Sequence, residues 1–152
     1  VFIAGAGFKP VPARHGKHGY FWEPFENYVV RIGLFTSRYQ VQSYAGEGKI
    51  HVVSHSLRGG EVIEAGHLRF HALPTPGRTP CGISYSVPGC VFTGDALFCG
   101  TAGSAGSLKE AKRQIGHIRR HIFSLSAETM VFPAHGPMTT VGIEKYADPF
   151  FR

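Results

Sequence analysis

Residues 57–132 read as a series of short strand segments broken by glycine and proline, then one long amphipathic helix, then another strand, and few chain topologies accept that order. The strand segments are 61–63, 68–73, 83–87 and 91–93. In the second, apolar residues alternate with Arg69 and His71, so one face is expected in a core and the other in water. Residues 107–125 give the clearest helical signal. Ser107 followed three residues later by Glu110 forms a capping box, and Leu108, Ala111, Ile115, Ile118, Ile122 and Leu125 recur at steps of three and four. A strand over 129–132, a Pro133-Ala-His-Gly-Pro loop and a short helix over 141–147 complete the pattern. Strands mixed with helices predict an α/β layer architecture, with Asp95 and His135 at strand ends where a site would open.

The length of 152 residues fits a single domain, and 43% hydrophobic against 17% charged residues supplies a core and excludes a disordered chain. Twenty glycines and ten prolines predict short elements and tight turns. Residues 1–56 are weakly defined and read as irregular: a strand candidate at 1–4, a Gly/Pro-rich loop, an aromatic stretch over 20–28 and an apolar run over 28–32. Gly5-Ala-Gly7 has Pro10 where a dinucleotide loop needs its third glycine, so no nucleotide site is expected there.

Cys81, Cys90 and Cys99 are odd in number and contain no Cys-x-x-Cys pair, which predicts no disulfide framework and favours a reducing, cytoplasmic setting. The apolar opening 1–8 is interrupted by Gly5 and Gly7 and is too short to span a bilayer, so no membrane partner is expected. The net charge of +6 gathers at Lys9, Arg14 and Lys17 and again at Lys109, Lys112, Arg113, Arg119 and Arg120. Neither group is interleaved with aromatics as a nucleic-acid surface would be, and both read as solvated faces.

Three segments carry the chemistry: Thr75-Pro-Gly-Arg-Thr-Pro-Cys-Gly, Phe92-Thr-Gly-Asp-Ala-Leu-Phe and Phe132-Pro-Ala-His-Gly-Pro-Met-Thr-Thr-Val-Gly. With the closing Glu144-Lys-Tyr-Ala-Asp-Pro-Phe-Phe, their order and spacing resemble the metallo-β-lactamase superfamily, particularly its glyoxalase II-like hydrolases, over residues 57–152. The resemblance implies a portion of an αββα sandwich with one or two metal ions, usually zinc, at the sheet edge. In that family the ligands come from an early His-x-His-x-Asp-His motif, a Thr-Pro-Gly-His-Thr turn, a Thr-Gly-Asp turn and a Pro-Gly-His-Gly-Pro loop. Zinc with one open position lowers the pKa of its water toward ~7, and that water attacks a thioester, lactone or related carbonyl.

Carried over residue by residue, the resemblance implies Asp95 and His135 as metal ligands. Arg78 stands in the place of the turn's histidine, and a guanidinium has no lone pair to offer a metal. No His-x-His-x-Asp-His occurs in the 152 residues; His51 with His55, His15 with His18, and His117 with His121 all lack the adjoining aspartate. The first motif is therefore expected upstream of Val1. Zinc is implied with an incomplete site, and the chain itself is expected to show weak or no activity.

Arg78 is expected either to neutralise Asp95 in place of a cation or to contact a small-molecule substrate or anion. The alternative to a hydrolase is a metal-free, non-catalytic domain that binds a small anion or a protein. His67, His71, His117 and His121 read as surface groups, and Cys81 as the thiol nearest the presumed pocket. Half a sandwich leaves an apolar sheet face to be covered by residues 1–56 or by a second copy, so a homodimer is expected as a possible partner state.

Overall fold

The structure, a computed structural model, describes residues 23–25, 28–34, 38–45, 49–65 and 68–151, with side chains over 56–64 and 68–151. The strand candidate at 1–4, the glycine-rich run after it, and His15, His18 and His67 lie outside the described residues. Contacts divide the chain into two compact units. Val1–Leu57 with Glu64–Leu68 form one, and Arg58–Ile63 with Arg69–Arg152 form the other.

The first unit holds β1 (Glu23–Phe25), β2 (Tyr28–Leu34), β3 (Arg38–Ala45) and β4 (Lys49–Ser56) in a four-stranded antiparallel sheet of that order. The register pairs Ile32 with Val41 and Val41 with Val53. A stretch expected to be irregular is therefore a meander of sequential hairpins. The cue in the sequence is the alternation Arg38-Tyr-Gln-Val-Gln.

The larger sheet is built from β5 (Val62–Ala65), β6 (Leu68–Pro74), β7 (Ile83–Val87), β8 (Cys90–Gly94), β11 (Met130–Pro133) and β12 (Thr139–Thr140), in the order β12-β11-β8-β7-β6-β5. Between β8 and β11 lie a small hairpin, β9 (Leu97–Phe98) with β10 (Thr101–Ala102), and the helix α1 (Leu108–His117). α2 (Val141–Ala147) follows β12. Every strand expected after Leu57 forms, with small shifts at its ends. The α/β architecture and the helix covering the sheet are as anticipated. Among the described residues, no helix is long and apolar enough to cross a membrane.

The long helix differs from its expected form in two ways. It starts as anticipated, with the Ser107 hydroxyl accepting from the Glu110 amide at 3.2 Å. After His117, however, it widens into a π-helical turn over Ile118–Ile122, closed by the Phe123 amide on the Ile118 carbonyl at 3.0 Å, and it ends there instead of at Leu125. The fully buried stripe is Gln114, Ile118 and Ile122, a strict four-residue step, while Leu108 is 73% exposed. A four-residue step drifts around an α-helix of about 3.6 residues per turn in one sense and around a wider turn in the other. Joining the two keeps the stripe over the sheet. There Ile118, Ile122 and Phe123 pack with Val91, Leu97 and Val131, and Phe151 closes the cluster edge-on to Phe123 at 4.7 Å.

On the flank of this helix His117 and His121 stack at 5.7 Å with rings 14° apart. Burial, then His121 and the guanidinium groups of Arg113 and Arg120, push the His117 imidazole below its ordinary range. Burial and then Arg120 act the same way on His121.

Two expectations follow from this packing. Truncating Ile118 or Ile122 to alanine should cost about 2–5 kcal/mol of unfolding free energy, whereas Leu108→Ala should be close to neutral. Equal losses in urea denaturation for Leu108→Ala and Ile122→Ala would contradict the stripe described here. Because both histidines titrate lower in the fold than in the unfolded chain, their contribution is present above about pH 6.5 and lost as pH falls below it. The thermal midpoint should drop between pH 7.5 and 5.5, and His117→Gln with His121→Gln should flatten that drop.

Candidate functional site

β6 and β8 each run antiparallel to β7, and β8 runs parallel to β11, so the C-terminal ends of β6, β8 and β11 emerge on one edge of the sheet. The residues just past those ends are the Thr75–Gly82 turn, Asp95 and the loop holding His135. Ligand sites of open α/β sheets form at such an edge.

The turn after β6 is closed by the Thr75 amide on the Gly82 carbonyl at 2.8 Å and the Gly77 amide on the Thr79 carbonyl at 3.0 Å. The hydroxyls of Thr75 and Ser84 meet at 2.8 Å in the interior beneath it. Gly77 lies against Gln114 of α1 so closely that a methyl group there would overlap the glutamine side chain. The helix therefore seats the turn, and the turn projects Arg78 along the edge.

Asp95 follows Gly94, whose φ of +58° reverses the chain at the end of β8. The turn is tied by the Ala96 amide on the Thr93 carbonyl at 3.0 Å and the Thr93 hydroxyl on the Leu97 carbonyl at 2.7 Å. Gln114 donates from Nε2 to the Ala96 carbonyl at 3.1 Å, so the side chain that seats the Arg78 turn also holds the Asp95 turn. One strand over, the Ala134 amide donates to the Gly94 carbonyl at 2.9 Å and carries His135 alongside Asp95. The Phe98 ring flanks the imidazole at 6.4 Å. Buried Glu144 of α2 accepts from the Gly100 amide at 2.9 Å and the Thr139 hydroxyl at 2.6 Å, fixing the loop after β9.

Within this frame Arg78 Nε lies 3.1 Å from Asp95 Oδ2, and Arg78 Nη1 donates to Ser104 Oγ at 2.6 Å. His135 Nε2 stands 3.8 Å from Asp95 Oδ1, an oxygen that is shielded from solvent and accepts no hydrogen bond. The three residues singled out in the sequence thus meet at one place, with the carboxylate bracketed by a guanidinium and an imidazole. Asp95 is 34% exposed, Arg78 49% and His135 74%, so the cluster is open to solutes.

Two contributors were not anticipated. Ser104 comes from a glycine-rich loop with no signal of its own. Gln114 was legible only as a polar residue one step before Ile118 in the buried stripe. His71 is exposed, and the thiols of Cys81, Cys90 and Cys99 are free, with Cys81 and Cys99 exposed.

An orphaned carboxylate oxygen facing an imidazole is the donor chemistry a transition metal takes. Catalytic zinc sites use three protein ligands, however, and among the described residues no three His, Cys, Asp or Glu side chains gather closely enough to hold an ion. The other oxygen of Asp95 is already faced by a fixed positive charge. The described residues do not by themselves complete a metal centre.

Comparison with known proteins places this edge in context. A probable metallo-hydrolase of Streptococcus pyogenes is 41% identical over 86 residues, which is 55% of this chain and 37% of that protein. The hydroxyacylglutathione hydrolase GloC of Haemophilus influenzae is 32% identical over 96 residues, 61% of this chain and 45% of that one. Among solved structures, ETHE1 from Myxococcus xanthus superposes with a TM-score of 0.58 at 34% identity, over 62% of this chain and 44% of that one. TTHA1623, solved in a di-iron-bound form, gives 0.53 at 33% identity over 63% and 48%. The chain spans less than half the length of each of these four. The sequence model of the family covers residues 5–135, ending on the histidine that faces Asp95, and by that match the chain belongs to the metallo-beta-lactamase superfamily.

Proposed function

We propose that the edge carrying Arg78, Asp95 and His135 is part of a hydrolase site for a thioester or related carbonyl substrate, of the class that a hydroxyacylglutathione represents. Asp95 and His135 are proposed as two of its metal donors. The observation that carries this reading is the pairing of His135 Nε2 with the shielded, unpartnered Oδ1 of Asp95 across 3.8 Å at the C-terminal edge of parallel strands. Hydrolase-type relatives support the reaction class. Zinc is the proposed metal, and when bound in a complete site it would supply an acidified water. Two donors fall short of such a site, so no hydrolytic step is assigned to them alone.

The chain's own groups have definite parts in this reading. Asp95 places its carboxylate at the strand end, in a turn set by Gly94 and held by Gln114. His135, largely exposed, presents its Nε2 toward the same carboxylate. Half-exposed Arg78 is the cation that an anionic substrate tail would meet. The metal-free alternative, a domain that binds a small anion, also draws on Arg78, because the guanidinium already balances Asp95 without an ion.

Zinc analysis separates the two. After desalting, the 152-residue protein should retain well below one zinc per chain, and the residual binding seen by calorimetry should disappear in Asp95→Asn and in His135→Ala. Thioester hydrolysis should remain near background with zinc added. One tightly held zinc per chain with vigorous turnover would refute the two-donor reading. Zinc binding indifferent to both substitutions, together with phosphate binding that Arg78→Ala abolishes, would favour the anion-binding domain.

A further inference from the structure

We infer that Arg78 is a tethered counter-ion that competes with a divalent cation for Asp95, so that one residue in the turn after β6 sets how well this edge takes a metal. The inference rests on the reading of Asp95 and His135 as donors, and it accounts for the mismatch between those donors and a complete centre.

Four observations carry it. The guanidinium has two anchors: Nε sits 3.1 Å from Asp95 Oδ2, and Nη1 donates to Ser104 Oγ at 2.6 Å. Its backbone belongs to a turn closed by the Thr75 and Gly77 amides and seated on Gln114. The carboxylate has one charge to share between its two oxygens, and the oxygen on the His135 side is the one left unpartnered. An ion held by Asp95 and His135 would therefore share a carboxylate with a fixed positive charge, and two cations on one carboxylate weaken each other's hold.

An exposed arginine–aspartate pair is worth little to stability. Its consequence here is local: it satisfies Asp95 electrostatically without any ion, and it fills the flank of the carboxylate with a group that cannot ligate. A histidine at position 78 would instead bring a nitrogen donor to the same edge, making three with Asp95 and His135, the number that catalytic zinc sites use.

The test is zinc titration of the purified chain by calorimetry, with cobalt absorption spectra as an independent readout of coordination. Arg78→Gln, which removes the charge, should tighten zinc by about tenfold. Arg78→His, which adds a donor, should tighten it by about a hundredfold or more and give an intense cobalt spectrum. Arg78→Lys, which keeps the charge but cannot hold both anchors at once, should stay within about threefold of the parent. Ser104→Ala, at an exposed position outside the donor pair, should loosen the guanidinium and tighten zinc by about two- to threefold, and it carries the test if a variant at 78 does not fold.

Folded Arg78→Gln and Arg78→His proteins that bind zinc no better than the parent would overturn the inference, as would Arg78→Lys binding as tightly as Arg78→Gln. Failure of the underlying donor reading looks different. If the zinc gained by Arg78→His survives addition of Asp95→Asn or His135→Gln, then those two side chains are not the donors.

Discussion

The parallel pairing of β8 with β11 is the constraint on which the rest of the second unit depends. Its register matches Cys90 with Met130 and Phe92 with Phe132, and the two phenylalanines stack across the strands at 5.4 Å. At the far end the register shifts, so that Pro133 meets Gly94 and Thr93 has no partner of its own. Proline has no amide proton to continue the ladder, and a slip of one residue at that point is how the pairing accommodates it. Thr93 turns its hydroxyl to the Leu97 carbonyl, and the next backbone bond, Ala134 to Gly94, lands where both strands end. Asp95 and His135 are side by side because of this ending. A parallel pair needs a long crossover, and α1 with the β9–β10 hairpin supplies it.

The crossover helix also couples the core to the edge. Ile118 and Ile122 sink into the cluster around Val91, Leu97 and Val131, and one step earlier on the same stripe Gln114 reaches the Ala96 carbonyl and backs Gly77. A polar side chain occupies that buried position because the two turns it holds expose backbone there, and an aliphatic residue would leave the Ala96 carbonyl without this donor. Helix packing and the positions of Arg78 and Asp95 are thus one mechanical problem. The glycines at 77 and 94 answer separate parts of it, close approach at the first and a left-handed turn at the second.

The second unit was largely legible in the sequence because its signals are local and repeated. Strand segments bounded by Gly and Pro, the Ser107 N-cap and the helix over 141–147 all form at or near their expected places, although the Glu110 carboxylate accepts from the Ser107 hydroxyl and not from its amide. Asp95 and His135 are legible as strand-end residues, and the Arg78–Asp95 contact is anticipated from the arginine that stands where the resembled family's turn carries a histidine. Three features were not. The π-helical turn arises from tertiary demand on a four-residue stripe, which a helical-periodicity argument spreads over Leu108 and Leu125 instead. Ser104 sits 26 residues from its partner, Arg78, and a loop serine gives no hint of such a pairing. The antiparallel meander before Leu57 was obscured because its strands mix polar and apolar residues with only partial alternation.

The identity of the cation on Asp95 explains why arginine, and not lysine, suits position 78. A lysine ammonium is a point charge on a flexible stem and would satisfy Asp95 or Ser104 according to its rotamer. The planar guanidinium presents nitrogens in fixed directions, and here Nε faces the carboxylate while Nη1 faces the hydroxyl, so both anchors hold at once. That geometry needs the turn to place Cα of residue 78 at a set distance from both the end of β8 and the loop after β10, which is what the Gly77 contact with Gln114 secures. In this sheet the ends of β6, β8 and β11 meet at one edge, and what stands there is set by single residues in the turns that follow them. In this chain the turn after β6 places a permanent organic cation against the acid, and the electrostatic demand of Asp95 is met from within the polypeptide.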